Sequence, residues 1–265
     1  MIIDSHFHLG VLPVYYNYEI RLGNVLHLMD NLNISHAINS HNMGLTYGDI
    51  ERSMEENINA YESSKGRIMS YYVFDPLIGE RCLEIMKTYR NRKIFKGIKI
   101  HPSFHGISAD DERYDTVWKY AMKNNFPILA HTWDISPTNP VQKFSFPSKF
   151  EPYIKKYPKV ILIMGHSGGR YEGIREAAKI GRKYENVYFD TAGDIYSNCF
   201  IEYMVSQVGS KRILFGTDYS MMDQRNMLGV VLGAGISLED KENILYRNAL
   251  KLFDIDTARG GRQDE

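Results

Sequence analysis

The chain has little of what staples, anchors or strongly charges a protein. Of its 265 residues only two are cysteines, Cys82 and Cys199, far apart and in no metal-binding spacing. That argues against a disulfide framework and fits a reducing compartment. No apolar run approaches the ~20 residues needed to span a bilayer. The N-terminus shows no basic stretch leading into an apolar one, so no signal peptide is expected. An excess of one charge is missing too: Lys+Arg and Asp+Glu number 32 each. Such a balance leaves no field for nucleic acid or an anionic membrane surface. There is no internal repeat and no low-complexity linker. The expectation is a cytoplasmic protein that captures a small molecule with local groups, with a two-fold dimer as the base-rate assembly.

What is present is an alternation. Short, near-continuously apolar runs cover Ile2–His6, Ser35–Asn39, Ile68–Phe74, Ile94–Ile100, Pro127–His131, Val160–Gly165, Val187–Asp190 and Ile213–Gly216. Runs of this kind suit parallel strands buried on both faces. Between them lie amphipathic stretches at helical spacing: Arg21–Leu32, Ile50–Ser64, Glu80–Arg90, Arg113–Lys123, Pro152–Lys156, Tyr171–Lys183, Phe200–Val208 and Leu238–Phe253. Ser237 opens the last of these as an N-cap followed by acidic residues. Eight strand–helix units predict an α/β fold, a single-domain (β/α)8 TIM barrel over residues 1–255, followed by a polar tail at 256–265. The rival, an open doubly wound sheet, lacks a Gly-rich phosphate fingerprint after the first strand; Gly168-Gly169 is only a weak helix-start signal.

The placement of histidine carries the chemistry. Six of nine histidines (His6, His8, His41, His101, His131, His166) fall at or just past the end of an apolar run. In a barrel those strand ends build the active site. His6 and His8 are two apart, so on a strand both point to the same side, and Asp4 shares that parity at a deeper level. His131 from strand five and Asp218 from strand eight can converge with them on the barrel axis, strand eight being the neighbour of strand one on closure. Imidazoles plus one carboxylate suit one divalent ion, zinc first and manganese or another divalent ion next, with a position left for water. Each group also has a bland reading, His131 as a satisfied core histidine and Asp218 as a helix cap. The joint arrangement is harder to explain that way, since several buried polar groups would need partners.

The segments IIDSHFH, GIKIHP, ILAHTW, IMGHSGG, ILFGTDY and NILYRNALKLF resemble the amidohydrolase superfamily. More narrowly they resemble its family-2 branch, which holds hydrolases and the aminocarboxymuconate-semialdehyde decarboxylase group. The resemblance spans almost the whole chain in order. It implies that His6, His8, His131 and Asp218 ligate one catalytic metal and that His166 serves in proton transfer or substrate polarisation. Some superfamily members carry a carboxylated lysine at the end of strand four that bridges two metals, which makes Lys99 the open position. Its alternatives are a buried lysine paired with Asp4 or Asp75, and a substrate contact.

The chemistry expected first is metal-dependent hydrolysis of an amide, cyclic amide, ester or lactone. A bound ion brings the pKa of its water to about 7, and Asp218 and His166 are the expected catalytic residues. The alternative on the same site is non-oxidative decarboxylation of an unsaturated or aromatic carboxylic acid, which calls for a cationic clamp such as Arg170 or Arg225. A catalytically silent barrel is the third class. His101, Lys99, Asp190 and Arg170 are candidates for substrate contact, whereas His41 reads as an ordinary loop residue and Arg52 and Arg113 as solvated helix positions. Tyr15, Tyr16 and Tyr18 are candidates for a lid, and the stretch Thr138–Lys149 for a specificity loop.

Overall fold

Strands β1 (Ile2–Phe7), β2 (Ile34–Asn39), β3 (Ile68–Val73), β4 (Phe95–Ile100), β5 (Ile128–His131), β6 (Leu162–Gly165), β7 (Val187–Asp190) and β8 (Ile213–Leu214) lie in chain order in one sheet. This is a computed structural model that describes residues 1–12, 21–91, 93–195 and 197–256. Every neighbouring pair is parallel. Parallel pairs need crossovers, and helices supply them: α1 (Leu22–Asn31), α2 (Asn42–Tyr47), α3 (Ile50–Ser63), α4 (Gly79–Thr88), α5 (Pro102–His105), α6 (Asp115–Asn124), α7 (Glu151–Lys156), α8 (Tyr171–Lys183), α9 (Phe200–Val208), α10 (Gln224–Gly233), α11 (Leu238–Glu242) and α12 (Asn248–Phe253). The (β/α)8 barrel expected from the alternation is the fold observed. None of these helices is long and apolar enough to cross a membrane.

Two cores hold it together. Ile3, Ile38, Met69, Tyr71, Leu129, Ile163 and Leu214 fill the barrel interior, and Ala249 and Phe253 of α12 close it from below. The other strand faces pack on the helices in a larger shell that includes Phe7, Tyr72, Phe95, Trp118 and Phe189. Each such side chain contributes about 1.5–3 kcal/mol relative to exposure.

The seam between β8 and β1 departs from the expected regular strand. Only Ile213–Leu214 pairs regularly; beyond it Phe215 O accepts from Ser5 N at 2.8 Å and Asp218 N donates to His6 O at 2.8 Å. On the other side of β1, its register against β2 shifts between Asp4 and Phe7. That shift also corrects the parity expected for Asp4. Its carboxylate turns away from the interior and accepts from Thr217 N at 3.1 Å, Thr217 Oγ1 at 2.5 Å and Gln224 Nε2 at 3.1 Å. Helix α10 is absent from the sequence-based elements, although Met227, Leu228 and Val231 bury one face of it. The expected single helix Leu238–Phe253 is interrupted by a π-turn at Asn243–Arg247. There the carbonyl of Ile244 accepts from Phe215 N of the seam at 2.9 Å. Tyr15, Tyr16, Tyr18 and residues 257–265 of the expected tail lie outside the described residues.

Candidate metal centre

At the C-terminal mouth His6, His8 and Asp218 are all buried and bring one ligand atom each within 4.8 Å of the others. The surrounding hydrogen bonds fix which ring nitrogen is available. His8 Nδ1 lies 2.7 Å from the carbonyl of Ser40, and His6 Nδ1 lies 2.8 Å from Oδ2 of Asp190. Both partners only accept, so each ring carries its proton on Nδ1 and presents a lone pair at Nε2. Those lone pairs face Asp218 Oδ1, at 3.5 Å from His6 Nε2 and 3.2 Å from His8 Nε2. Asp218 Oδ1 is buried and, among the described residues, has no hydrogen-bond partner. Three lone-pair atoms converging without a proton between them fit a divalent cation.

Backbone geometry makes room for these side chains. A Cβ at Gly216 would stand 2.7 Å from His6 Cβ, and one at Gly165 would stand 3.2 Å from His6 Cε1. Asp218 and His166 hold left-handed backbone, φ 63° and 61°, a conformation that non-glycine residues rarely adopt and that clusters at functional sites. His166 is fixed at three points. Its backbone N donates to Asp190 Oδ1 at 2.7 Å, its Nδ1 lies 3.1 Å from the Ala192 carbonyl, and its Nε2 lies 2.9 Å from His131 Nδ1. Burial pulls its pKa down, against Asp218 and Asp190.

His131 stands beside the triad rather than in it. Its Nε2 lies 2.9 Å from Gln142 Oε1, and its ring stacks between neighbours: 3.9 Å from His101 at 10° and 5.9 Å from Trp133 at 6°. Phe104 extends the column, 3.8 Å from His101. His101 also caps α5, its Nδ1 accepting from Phe104 N at 3.2 Å. Gln142 sits in the stretch singled out as a specificity loop, which forms 3-10 turns at Pro140–Ser145 and Pro147–Phe150.

Lys99 is buried, and its Nζ lies 2.8 Å from His6 Nε2. It pairs with neither Asp4, which faces the other way, nor Asp75. Burial pulls it down to about 8, while Asp218 and Asp190 pull it back up. Asp190 is fully buried, and neither oxygen is left for a substrate: Oδ2 holds His6, and Oδ1 takes His166 N and Ala192 N. Arg170 lies at the rim, paired with Asp194 and 5.6 Å from the Trp133 ring. Arg225 pairs with Asp223 on the surface. His41 is an N-cap, its Nδ1 accepting from Met43 N at 3.2 Å, and His105 Nδ1 meets the Tyr114 hydroxyl at 3.2 Å.

An amidohydrolase family model (Amidohydro_2) matches residues 3–255. The chain belongs to the amidohydrolase family. This amidohydrolase is 27% identical over 118 residues to the 2-amino-3-carboxymuconate-6-semialdehyde decarboxylase of Caenorhabditis elegans, a match over 38% of the chain and 29% of that relative. Two solved structures share its fold. One is a 2,6-dihydroxybenzoate decarboxylase from Rhizobium, at 17% identity, TM-score 0.71, covering 96% of this chain and 98% of that one. The other is a dihydroxybenzoic acid decarboxylase from Polaromonas with bound manganese and 2-nitroresorcinol, at 16% identity, TM-score 0.70, covering 96% of each chain.

Sequence reasoning missed the groups that orient this amidohydrolase's imidazoles. The carbonyl of Ser40 leaves no side-chain signal at all. Trp133 had one, two residues after His131 and just past the end of β5. Gln142 had a weaker one, as one of two amides in a loop of prolines and phenylalanines.

Proposed function

We propose that this amidohydrolase is a metal-dependent, non-oxidative decarboxylase of a small unsaturated or aromatic carboxylic acid. One observation carries the reading: a three-atom donor set for a divalent ion shares its buried mouth with a fixed imidazole, His166, and a column of flat rings. His6, His8 and Asp218 would hold the ion. His131 is the proposed fourth ligand, which requires its ring to release His166 or Gln142. When bound, such an ion supplies Lewis acidity, drawing electron density from a substrate oxygen. Two nitrogens and a carboxylate suit zinc or manganese.

The chain's own residues supply the rest. The stack of Phe104, His101, His131 and Trp133 forms an aromatic wall at the mouth; its inner faces cover one another, so a planar acid would meet ring edges or an outer face. His166 Nε2 faces the same mouth, with its Nδ1 steadied by the Ala192 carbonyl. In decarboxylation the bond from the ring or alkene carbon to the carboxyl carbon breaks and carbon dioxide leaves. The electron pair stays on carbon and takes up a proton, which we assign to His166 Nε2. Burial favours its neutral form, so each turnover takes one proton from solvent at the mouth onto Nε2 and hands it to the carbon, where it becomes the C–H of the product. The named relatives support this order of preference over hydrolysis. Hydrolysis stays as the second reading because the unpartnered Asp218 Oδ1 could equally accept a proton from water.

Hydroxybenzoic and unsaturated acids would be screened for carbon dioxide release beside lactones and cyclic amides followed by acid release. The expected outcome is carbon dioxide release that chelation abolishes and zinc or manganese restores. Hydrolysis of a lactone or amide with no carbon dioxide from any acid would replace this reading with the second one.

A further inference from the structure

Lys99 is the one lysine or arginine that is buried among the described residues. It lies on β4, whose Ile98 and Ile100 face the helices, so the lysine points into the barrel. A buried ammonium needs an acceptor or a counter-charge. Lys99 makes no ion pair with a carboxylate among the described residues, and its hydrogen-bond partner is His6 Nε2 at 2.8 Å. That same lone pair belongs to the convergent set of His6, His8 and Asp218. One lone pair cannot serve both an ammonium and a metal ion, so loading the centre leaves Lys99 without its acceptor. The arginines that might otherwise meet an anionic substrate are occupied elsewhere, Arg170 by Asp194 and Arg225 by Asp223.

We infer that Lys99 is the residue that recognises the substrate's carboxylate, its ammonium exchanging His6 Nε2 for a carboxylate oxygen once the metal centre is filled. The inference rests on the decarboxylase reading for the kind of substrate, though the clamp itself requires only an organic acid. The buried setting makes such a bond strong, because a charge-assisted hydrogen bond is weakened least where water is absent. It also selects, since a neutral analogue would leave the ammonium buried and unpaired.

The test compares Lys99→Met and Lys99→Gln with the unaltered protein, all loaded with zinc or manganese. Binding of a hydroxybenzoate and of the matching neutral benzyl alcohol is measured by calorimetry, with metal content and unfolding temperature measured alongside. The unaltered protein should prefer the acid. Both variants should lose about 10- to 100-fold in affinity for the acid and little for the alcohol. Metal content should stay at the unaltered level, since either replacement removes a group that competes for His6 Nε2 and none that would hold the ion. If either folded variant binds the acid as well as the unaltered protein does, the clamp is wrong. A signal from a lysine carbamate at position 99 in protein equilibrated with 13C-bicarbonate would also overturn it, because a carbamate is an anion. The two readings fail separately. Unchanged acid binding with continued carbon dioxide release removes the clamp alone. Lost acid binding in the variants of a protein that decarboxylates nothing removes the decarboxylase reading alone.

Discussion

The two ends of the barrel interior are built from opposite materials. Below, Ile3, Met69, Tyr71, Leu129, Ile163 and Leu214 close on Ala249 and Phe253, and the Tyr71 hydroxyl is satisfied by donating to the Ser5 carbonyl at 2.8 Å. Above them, at or beyond the C-terminal ends of the strands, stand His6, Lys99, His131, Asp190 and Asp218, all buried. The lower end gains from every atom removed from water. The upper end loses by burial and survives because nearly every polar atom is partnered, Asp218 Oδ1 being an exception. Stability and chemistry are therefore separable along one axis, and substitutions at the two ends should fail in different assays.

The largest effect is expected at Asp218→Asn. Asparagine tolerates the left-handed backbone at this position, so the fold should persist with little change in unfolding temperature. It presents a neutral oxygen or an amide where the carboxylate stood, and the convergent set loses its charge. Carbon dioxide release should fall about 10⁴-fold or more, the scale on which metal chemistry is lost. Retained activity at the unaltered level, with the same metal content, would remove Asp218 from the centre. Phe253→Ala asks the opposite question. Truncating a buried phenylalanine should cost about 3–5 kcal/mol, lowering the unfolding temperature by roughly 2–4 °C for each kcal/mol in a chain of this size. Metal affinity in the folded protein should not move. A variant that kept its stability but lost metal would show that the ends are coupled.

The separation also explains what could be read from the sequence. That His6, His8 and Asp218 meet at one mouth was legible because strand ends gather there in a barrel, and the apolar runs gave the order of strands; His131 stands beside them. Asp4 was misplaced because a shift of register in β1 reverses the parity on which the inference rested. Helix α10 escaped because its two glycines dilute a short amphipathic face. Asp190 drew notice only as a candidate for substrate contact, yet it orients two histidines at once, and its hold on His166 depends on β6 and β7 being neighbours. The partners of the imidazoles were least legible of all, since a backbone carbonyl such as Ser40 O has no identity in sequence.

Asp190→Asn tests the boundary between the two ends most finely, with the smallest expected effect. Oδ1 of Asp190 accepts from His166 N at 2.7 Å and Ala192 N at 3.1 Å, so the amide oxygen of asparagine would take that side. Its NH2 would then replace Oδ2, 2.8 Å from His6 Nδ1. A donor facing Nδ1 requires that nitrogen to accept, which moves the ring proton to Nε2. The lone pair that faces Asp218 disappears while the shape of the site is kept. Metal affinity should fall about 10- to 100-fold, as is usual when a residue orienting a ligand histidine is changed, and 15N shifts of His6 should report the other tautomer in the metal-free protein. Full metal affinity with the tautomer reversed would mean that His6 does not ligate through Nε2. Lys99, which lies against that same nitrogen, would then have no reason to give up His6.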